Sequence, residues 1–235
     1  MTETKKPRLA FPDVTRLIAM ALMVFYHFSY DLVYFKFLNF DIINLPFWWF
    51  LPRLIVFLFL FTAGFSLAIA HKNQFHKKKF FKRLMQIVLS ALLISVVTFF
   101  LFPDRWIYFG TLHCIALSSL ITVYALSYPK TLGTIGLLLF VFSIFFGIDI
   151  PWIQLEHSSL DYVELFPWIG ASFLGVFAHD QYIKTPTLLK FEEFSIFKAP
   201  SFKFFQKISE HSLLVYLIHQ PILFGLFFII NRLFQ

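Results

Sequence analysis

The fold class is decided by LIVFLFLFTAGFSLAIA, Leu54–Ala70, in which seventeen consecutive residues carry no charge. A helix needs about 20 predominantly apolar residues to cross the ~30 Å hydrocarbon core of a membrane. A second run of this kind, LMQIVLSALLISVVTFFLF, follows at Leu84–Phe102. Neither run alternates apolar and polar residues as the strands of membrane barrels do. The two runs therefore predict membrane-spanning α-helices.

The composition of the whole chain leads to the same prediction. Of the 235 residues, 59% are hydrophobic, 36 are Phe and only 14% are charged, and the mean hydropathy is +0.75. A typical soluble domain has about 25% charged residues, so an ordinary cytosolic globule, a disordered chain and a disulfide-rich secreted scaffold are excluded. Cys114 is the one cysteine of the chain, so no disulfide can form within it. We predict an all-α, polytopic membrane protein.

Seven segments are apolar enough to predict spans, and together they take up most of the chain. They leave little room for a soluble domain, so we predict a single transmembrane domain over residues 1–235, with about seven helices in one bundle. The predicted spans are residues 15–36, 47–70, 81–102, 107–127, 131–148, 164–179 and 209–231.

The distribution of basic residues predicts the orientation of these spans. If the N-terminus is cytoplasmic, 16 of the 20 Lys and Arg residues fall on the cytoplasmic side, as the positive-inside rule requires. Topology then explains most of the net charge of +7, which indicates no nucleic-acid partner. We expect a multi-pass protein of the plasma (inner) membrane, in contact with membrane lipids. The sequence leaves the oligomeric state open, a homo-oligomer included.

The first span places three ionisable residues on one face. Arg16 and His27 are eleven residues apart, which is close to three helical turns and about 16 Å along the axis. Asp31 follows His27 at i+4, within reach of its imidazole. Ionisable residues within a span usually mark a functional site, so we expect His27 to act as a catalytic base that Asp31 orients. Two alternatives stay open: the His–Asp pair only holds helices together, or Arg16 extends to the membrane surface.

Three other spans carry polar residues that we expect at a similar depth. His113 opens the fourth span, and Tyr216 and His219 share a face of the seventh, where they form a candidate acid–base pair. All three are candidate catalytic residues, and Arg53 in the second span is a candidate substrate ligand. The alternatives are helix packing for the first three, and a side chain that extends to the membrane surface for Arg53.

A dense basic run, HKNQFHKKKFFKR at His71–Arg83, lies between the second and third spans. Such a run is typical of a cytoplasmic anchor that binds anionic lipid. Its alternative role is the binding of a phosphorylated cosubstrate, for which Arg16, Lys77, Lys78 and Lys79 are candidates. We expect no metal cofactor, because the sequence contains neither H-E-x-x-H nor a local pairing of Cys and His.

Four blocks of sequence, spread from the first span to the last, carry a resemblance to a known family. They are PDVTRLIAMALMVFYHFSYDL at Pro12–Leu32, FGTLHCIA at Phe109–Ala116, FPWIGASFLG at Phe166–Gly175 and SLLVYLIHQP at Ser212–Pro221. In this order they resemble the heparan-α-glucosaminide N-acetyltransferase catalytic-domain family. The spacing of Arg16 and His27 is also similar to the R-x10-H spacing of the type-3 membrane acyltransferases.

The resemblance implies a transmembrane N- or O-acetyltransferase. Such an enzyme would take acetyl from cytosolic acetyl-CoA, its cosubstrate, and pass it to a carbohydrate acceptor, an amino sugar or a sugar hydroxyl, on the extracytoplasmic side. Two other functions stay open from the residues alone. One is a small proton-coupled transporter, because intramembrane His and Asp residues also relay protons. The other is a non-catalytic membrane subunit of envelope-polymer assembly.

Overall fold

The computed structural model describes residues 8–39, 45–148 and 150–234, and within these ranges it is helical and contains no strand. Lys5 and Lys6, which contribute to the predicted cytoplasmic charge, lie outside the described residues. The helices of the described part are α1 (Phe11–Tyr34), α2 (Pro46–His71), α3 (Lys77–Leu101), α4 (Thr111–Thr122), α5 (Pro129–Phe146), α6 (Ile169–Lys184), α7 (Pro186–Leu189), α8 (Pro200–Glu210) and α9 (Ser212–Phe234).

Five of these helices are long and apolar enough to cross a membrane: α1, α2, α3, α5 and α9. Helix α4, which a 3-10 turn at Val123–Ala125 continues, is apolar but shorter, and α6 has 16 residues. The predicted all-helical membrane architecture is therefore confirmed. Of the seven predicted spans, the structure supports five by length and composition.

Helices α4 and α6 begin later than the predicted spans 107–127 and 164–179. The reason is that residues before them hydrogen-bond to other segments of the chain instead of continuing the helix. The backbone N–H of Ile107 donates to Oγ1 of Thr98 at 3.0 Å, and its carbonyl accepts from Oγ of Ser95 at 2.6 Å. The N–H of Val163 donates to the carbonyl of Phe109 at 3.1 Å. These contacts keep both stretches out of the helices. The hydrogen bond of Val163 also connects residues 150–168, which we call the 150–168 segment, to the start of α4.

The outer surfaces of the long helices are apolar, as contact with lipid requires. On α3, the exposed fractions of Leu92, Leu93, Val96 and Phe100 are 51%, 55%, 53% and 76%. A water-soluble monomer rarely presents so continuous an apolar surface. The exposed faces thus agree with the apolar lengths of the helices in indicating a protein embedded in the membrane.

Helix α6 packs closely against α2 and α5, through glycines. A Cβ atom at Gly64 of α2 would lie 2.0 Å from the carbonyl oxygen of Ser172 on α6. On the other side of α6, a Cβ at Gly136 of α5 would lie 2.6 Å from the carbonyl oxygen of Gly170. Small residues at such positions let helix backbones approach closely in a membrane. The shorter α6 is consequently buried between its neighbours.

Candidate active site

A cavity of about 560 Å³ lies between α1, α2, α3, α4 and α9. One end of it, which we call the basic end, is lined by Arg16, His71, His76, Lys79 and Arg83. The opposite end, which we call the tyrosine end, is lined by Phe59, Leu112 and Tyr216. The rings of Phe59 and Tyr216 are in contact there, with their centroids 5.9 Å apart. Between Phe59 and His71 the lining follows α2 for twelve residues, or about 18 Å.

Apolar side chains line most of the length between the two ends. They come from four helices, and include Ala63, Leu67, Leu84, Ile87, Ile115 and Leu213. The cavity therefore combines a cationic end with a long apolar passage. This combination suits an elongated ligand with anionic groups at one end.

Arg16, a predicted ligand of the cosubstrate, lines the basic end and is held there by its neighbours. Its guanidinium donates to Oγ of Ser209 at 3.0 Å and to Oγ of Ser66 at 2.9 Å. It also lies 3.7 Å from the carboxylate of Asp13, which is 2% exposed and pairs with Arg8 at 2.7 Å. Arg16 thus does not extend freely to the membrane surface, because fixed polar groups position its charge at the cavity wall.

The predicted lysine run contributes one of its three members to the cavity. Lys79 lines the basic end, whereas Lys77 and Lys78 are exposed and lie outside the lining. Arg83 and His76 join Lys79 instead. Residues 76, 79 and 83 are three and four positions apart, so they share one face of the start of α3. Helical periodicity, rather than consecutive sequence, selects the basic residues that face the cavity.

Tyr216 connects the tyrosine end of the cavity with a carboxylate from the 150–168 segment. Its hydroxyl donates to Oδ2 of Asp161 at 3.4 Å. Thr111, at the start of α4, donates to Asp161 twice, from its backbone N–H at 2.8 Å and from Oγ1 at 3.1 Å. Burial raises the pKa of Asp161 above its ordinary value, although these hydrogen bonds favour the charged form. Asp161 is thus a shielded carboxylate next to a cavity-lining residue.

His219 lies one turn beyond Tyr216 on α9, and its hydrogen bonding determines its tautomer. The ring nitrogen Nδ1 is 2.7 Å from the backbone carbonyl oxygen of Tyr216. A carbonyl oxygen only accepts, so Nδ1 carries the proton and Nε2 keeps a free lone pair. Nε2 is buried and has no hydrogen-bond partner among the described residues. In its neutral form, His219 therefore presents Nε2 as the nitrogen that can accept a proton.

His27 contacts His219, and the predicted pairing of His27 with Asp31 is replaced by other contacts. The rings of His27 and His219 have centroids 4.9 Å apart. Asp31, which is 1% exposed, accepts hydrogen bonds from Nε2 of Gln220 at 3.1 and 3.4 Å. Spacing at i+4 brings two side chains within reach of each other, but each of them finds its partner on α9. Asp31 consequently fixes α1 against α9 rather than orienting His27 through a hydrogen bond.

His113 is held by both of its ring nitrogens. Nδ1 accepts from the backbone N–H of Gly110 at 3.1 Å, so Nε2 carries the proton of the neutral ring. Nε2 lies 3.2 Å from Oγ of Ser95, which in turn donates to the carbonyl of Ile107. These contacts fasten the start of α4 to α3. They leave no ring nitrogen of His113 free to meet a reacting group.

Arg53, the candidate substrate ligand, is exposed and packs on its own helix. Its guanidinium lies 3.8 Å from the ring centroid of Trp49 and donates to the carbonyl of Trp49 at 2.7 Å. Arg53 does not line the cavity. The structure therefore separates it from the residues gathered around Tyr216.

Among the residues around the site to which the sequence assigned no catalytic or binding role are Ser209, Arg83 and Gln220. The spacing of four residues between Lys79 and Arg83 does predict that both lie on one face of α3. Asp161 reaches Thr111 from 50 residues away, and no local pattern predicts such a contact. In the described part of the chain no three His, Cys, Asp or Glu side chains form a group that could hold a metal ion.

Comparison with known proteins gives one match that covers most of the chain. The model of the family described as heparan-alpha-glucosaminide N-acetyltransferase, catalytic, matches residues 8–221. The matched range includes α1 to α8 and the part of α9 that carries Tyr216 and His219. Neither the curated proteins nor the solved structures give a match.

Proposed function

The chain belongs to the heparan-α-glucosaminide N-acetyltransferase catalytic family, a membership that implies a membrane acetyltransferase, and from this premise we propose the following reaction. The enzyme takes an acetyl group from acetyl-CoA on the cytoplasmic side. It transfers this group to an amino sugar or a sugar hydroxyl on the other side of the membrane. The observation that carries the proposal is the cavity, whose basic end and tyrosine end lie about 18 Å apart along α2.

The basic end is suited to the phosphate groups of the donor. Arg16, Lys79 and Arg83 supply positive charge there, and the guanidinium groups can bind phosphate through two parallel hydrogen bonds. His71 and His76 add N–H donors at the same end. The cytoplasmic location of this end follows from the basic run in which four of the five residues lie, if the N-terminus is cytoplasmic.

The apolar passage is suited to the extended arm of the donor, which carries the acetyl thioester. With the phosphates at the basic end, an arm of this length places the thioester beside Tyr216. The apolar side chains there exclude water, which protects the thioester from hydrolysis. Tyr216 can turn its single hydroxyl hydrogen from Asp161 to the thioester oxygen as negative charge develops on that oxygen.

We assign the role of base for the acceptor to His219, which does not line the cavity itself but contacts Tyr216 at its wall, with ring centroids 5.7 Å apart. Its Nε2 has a free lone pair, its tautomer is fixed by the carbonyl of Tyr216, and it lies one turn from that tyrosine. A base in such a position contributes about 10²–10⁴-fold to the rate. His27, in contact with His219, can receive the proton next and pass it outward. In this proposal His27 is thus the second proton acceptor, after His219.

The test is release of free CoA by the purified protein in lipid nanodiscs. Acetyl-CoA and a sugar acceptor should together yield CoA thiol, which a thiol reagent measures, faster than acetyl-CoA alone. The single thiol of the protein, Cys114, is buried, and Cys114→Ser removes it from the background. Binding of acetyl-CoA by calorimetry gives an independent readout, and Arg16→Gln should weaken it. A protein that neither binds acetyl-CoA nor releases CoA is not an acetyltransferase of this kind.

A further inference from the structure

Residues 186–210, which lie between α6 and α9 and which we call the surface segment, present apolar and basic side chains next to each other. The segment contains α7, two 3-10 turns and α8. Five of its large apolar side chains are between 44% and 65% exposed: Leu188, Phe194, Ile196, Phe204 and Phe205. Exposed lysines lie among them, at positions 190, 198, 203 and 207. Apolar and basic side chains mixed in this way are typical of a segment that lies in the interface of a membrane.

Helix α8 separates these side chains onto different faces. Its buried residues, Phe202 and Ser209, are seven positions apart and share the face that packs on the protein. Phe204 is two positions from Phe202, so it points away from that face, and it is 65% exposed. Lys203 and Lys207 are four positions apart and share the side between the two faces. A helix of this kind can place its apolar side chains among the lipid chains and its amino groups at the headgroups.

The outward charge of the surface segment is positive. Within the described ranges, none of its four lysines forms an ion pair. Of its three acids, Glu192 accepts hydrogen bonds from backbone N–H groups at the start of α1, and Glu210 pairs with Arg8. The third, Glu193, is exposed. The partner that complements four lysines and an apolar surface is an anionic phospholipid headgroup with its acyl chains.

The inner side of the surface segment is attached to α1 close to Arg16. Oγ of Ser209, which is fully buried, accepts from the guanidinium of Arg16 at 3.0 Å and donates to Oδ1 of Asp13 at 2.9 Å. At a second point of attachment, Glu192 accepts from the backbone N–H of Phe11 at 3.2 Å. Arg16 lines the basic end of the cavity. The place of the surface segment therefore helps to fix the guanidinium that faces the cavity.

We propose that Lys203 and Lys207 bind the headgroups of anionic phospholipids, and that this contact keeps Ser209 on Arg16 so that the cavity is ready for acetyl-CoA. Helix α8 has eleven residues, and helices shorter than about 12 residues are marginal by themselves in water. Lipid contacts on its outer side therefore add to its buried contacts in keeping it in place. The lipid contact is independent of the reaction, whereas its effect on the cavity rests on the proposed acetyltransferase function.

The first experiment measures the lipid contact by itself. A fluorescent label that responds to polarity, nitrobenzoxadiazole, is attached to Phe204→Cys, with Cys114→Ser so that no other thiol reacts. The protein is placed in nanodiscs of phosphatidylcholine, either pure or with about 30% phosphatidylglycerol, which makes the surface anionic. We expect phosphatidylglycerol to shift the emission of the label to shorter wavelength, because attraction of the lysines draws α8 deeper into the interface.

Matched variants identify the lysines that cause this shift. Lys203→Gln together with Lys207→Gln should abolish it. The control is Lys82→Gln together with Lys130→Gln, which removes the same charge from exposed lysines outside the surface segment and should keep the shift. A shift that persists without Lys203 and Lys207 would overturn the inference. A shift that appears in detergent as the protein concentration rises would also overturn it, because α8 would then contact a second copy of the chain.

The second experiment measures the Kd for acetyl-CoA in the same nanodiscs. At equal phosphatidylglycerol content, the membrane repels the anionic donor to the same extent in every variant. With phosphatidylglycerol present, the double variant at Lys203 and Lys207 should bind acetyl-CoA about fivefold more weakly than the wild type, the lower end of the usual coupling between two sites. In pure phosphatidylcholine the two should be equal. The double variant at Lys82 and Lys130 should match the wild type in both lipids.

Ser209→Ala separates lipid binding from its effect on the cavity. It removes the hydrogen bond to Arg16 and leaves the lysines in place, so the shift of the label should remain. In this background, loss of Lys203 and Lys207 should no longer change the Kd for acetyl-CoA. A Kd that these lysines never affect would overturn the inference, although the wild type binds the donor. Wild-type protein that binds no acetyl-CoA in either lipid would contradict the proposed function itself, and the label would still report the lipid contact.

Discussion

His27 and His219 face each other between α1 and α9, with their ring centroids 4.9 Å apart. Two imidazoles so close do not both carry a proton charge easily, because like charges in a medium of low polarity repel strongly. The pair can therefore hold one extra proton and pass it between its members. The free Nε2 of His219 makes that residue the first to receive it.

The first prediction concerns the separate roles of His219 and His27. His219→Gln should lower kcat by about 10²–10⁴-fold, the usual contribution of a general base, with little change in the Kd for acetyl-CoA. His27→Gln should lower kcat less, because it removes the proton's next acceptor. The double variant should be hardly slower than His219→Gln alone, since residues that act as a unit are not additive. Single-turnover kinetics would measure these effects.

A matched variant controls for the structural role of His219. The amide of Asn can replace Nδ1–H as donor to the carbonyl of Tyr216 but supplies no base at the position of Nε2. His219→Asn should therefore fold like the wild type and still lack turnover. If His219→Asn keeps near-normal turnover and His27→Gln does not, His27 is the base and the assignment is reversed.

The second prediction concerns the basic end of the cavity. Lys79→Gln and Arg83→Gln should each raise the KM for acetyl-CoA about two- to fivefold, as expected for contacts between exposed charges. Lys82→Gln is the matched control, because Lys82 is exposed on the same helix and lies outside the cavity lining. The difference should shrink as salt is raised from 20 mM to 500 mM, because salt screens such contacts (~10 Å Debye length at 0.1 M). An equal KM in all three variants at low salt would leave the basic run as a lipid anchor only.

Part of this site could be predicted from the sequence, and the reason lies in periodicity. The sequence singled out Arg16, Tyr216 and His219 because polar residues within an apolar helix stand out and share faces at known spacing. The structure places Arg16 and Tyr216 at the cavity wall, and the roles of all three stay predictions. That spacing does not indicate which residue of another helix a side chain will contact. Thus Asp31 was expected beside His27 but meets Gln220, 189 residues away. The position of Asp161 beside Tyr216 could not be predicted, because the course of the 150–168 segment depends on tertiary contacts with Phe109 and Thr111.

The third prediction concerns His113, which we expect to support the structure rather than the chemistry. His113→Ala would leave the N–H of Gly110 and the hydroxyl of Ser95 without their ring partner. The loss should cost about 1–3 kcal/mol of stability for the unsatisfied N–H of Gly110, whereas the hydroxyl of Ser95 keeps its hydrogen bond to the carbonyl of Ile107. It should also lower the midpoint of thermal unfolding in detergent. At a temperature where the variant is folded, its kcat should stay within a few fold of the wild type. A folded His113→Ala protein with turnover reduced a thousandfold would show that His113 takes part in the reaction.

The fourth prediction uses two glycines in membrane helices as a matched pair. Gly64→Ala should destabilise the protein strongly, because the new Cβ would lie 2.0 Å from the carbonyl oxygen of Ser172 and force α2 and α6 apart. Gly225 on α9 has no atom within 4 Å of its built Cβ. Gly225→Ala should therefore be neutral or stabilise by up to about 1 kcal/mol, the helix propensity difference. Thermal unfolding in detergent compares the two, and equal effects would contradict the close packing of α2 and α6.

The fifth prediction concerns pH and the charge of Asp161. Burial raises the pKa of Asp161 in the folded protein above the value of 3.8 expected when unfolded. The folded state then holds this proton more tightly than the unfolded state, so protonation of Asp161 stabilises the protein. That stabilisation is complete below the unfolded pKa and is lost as pH rises through the raised folded pKa. At neutral pH the ionised carboxylate of Asp161 therefore lowers the free energy of unfolding.

Asp161→Asn removes that cost while its amide oxygen can still accept from Thr111. The variant should consequently be at least as stable as the wild type at pH 7, and this advantage should disappear towards pH 4. Unfolding midpoints in detergent, measured from pH 4 to pH 8 with Glu156→Gln as the control, would check this. An Asp161→Asn protein that is less stable than the wild type at pH 7 would show that the carboxylate serves mainly to cap α4. A variant that gains stability would instead show that the ionised carboxylate destabilises the fold, and groups with this property cluster at functional sites.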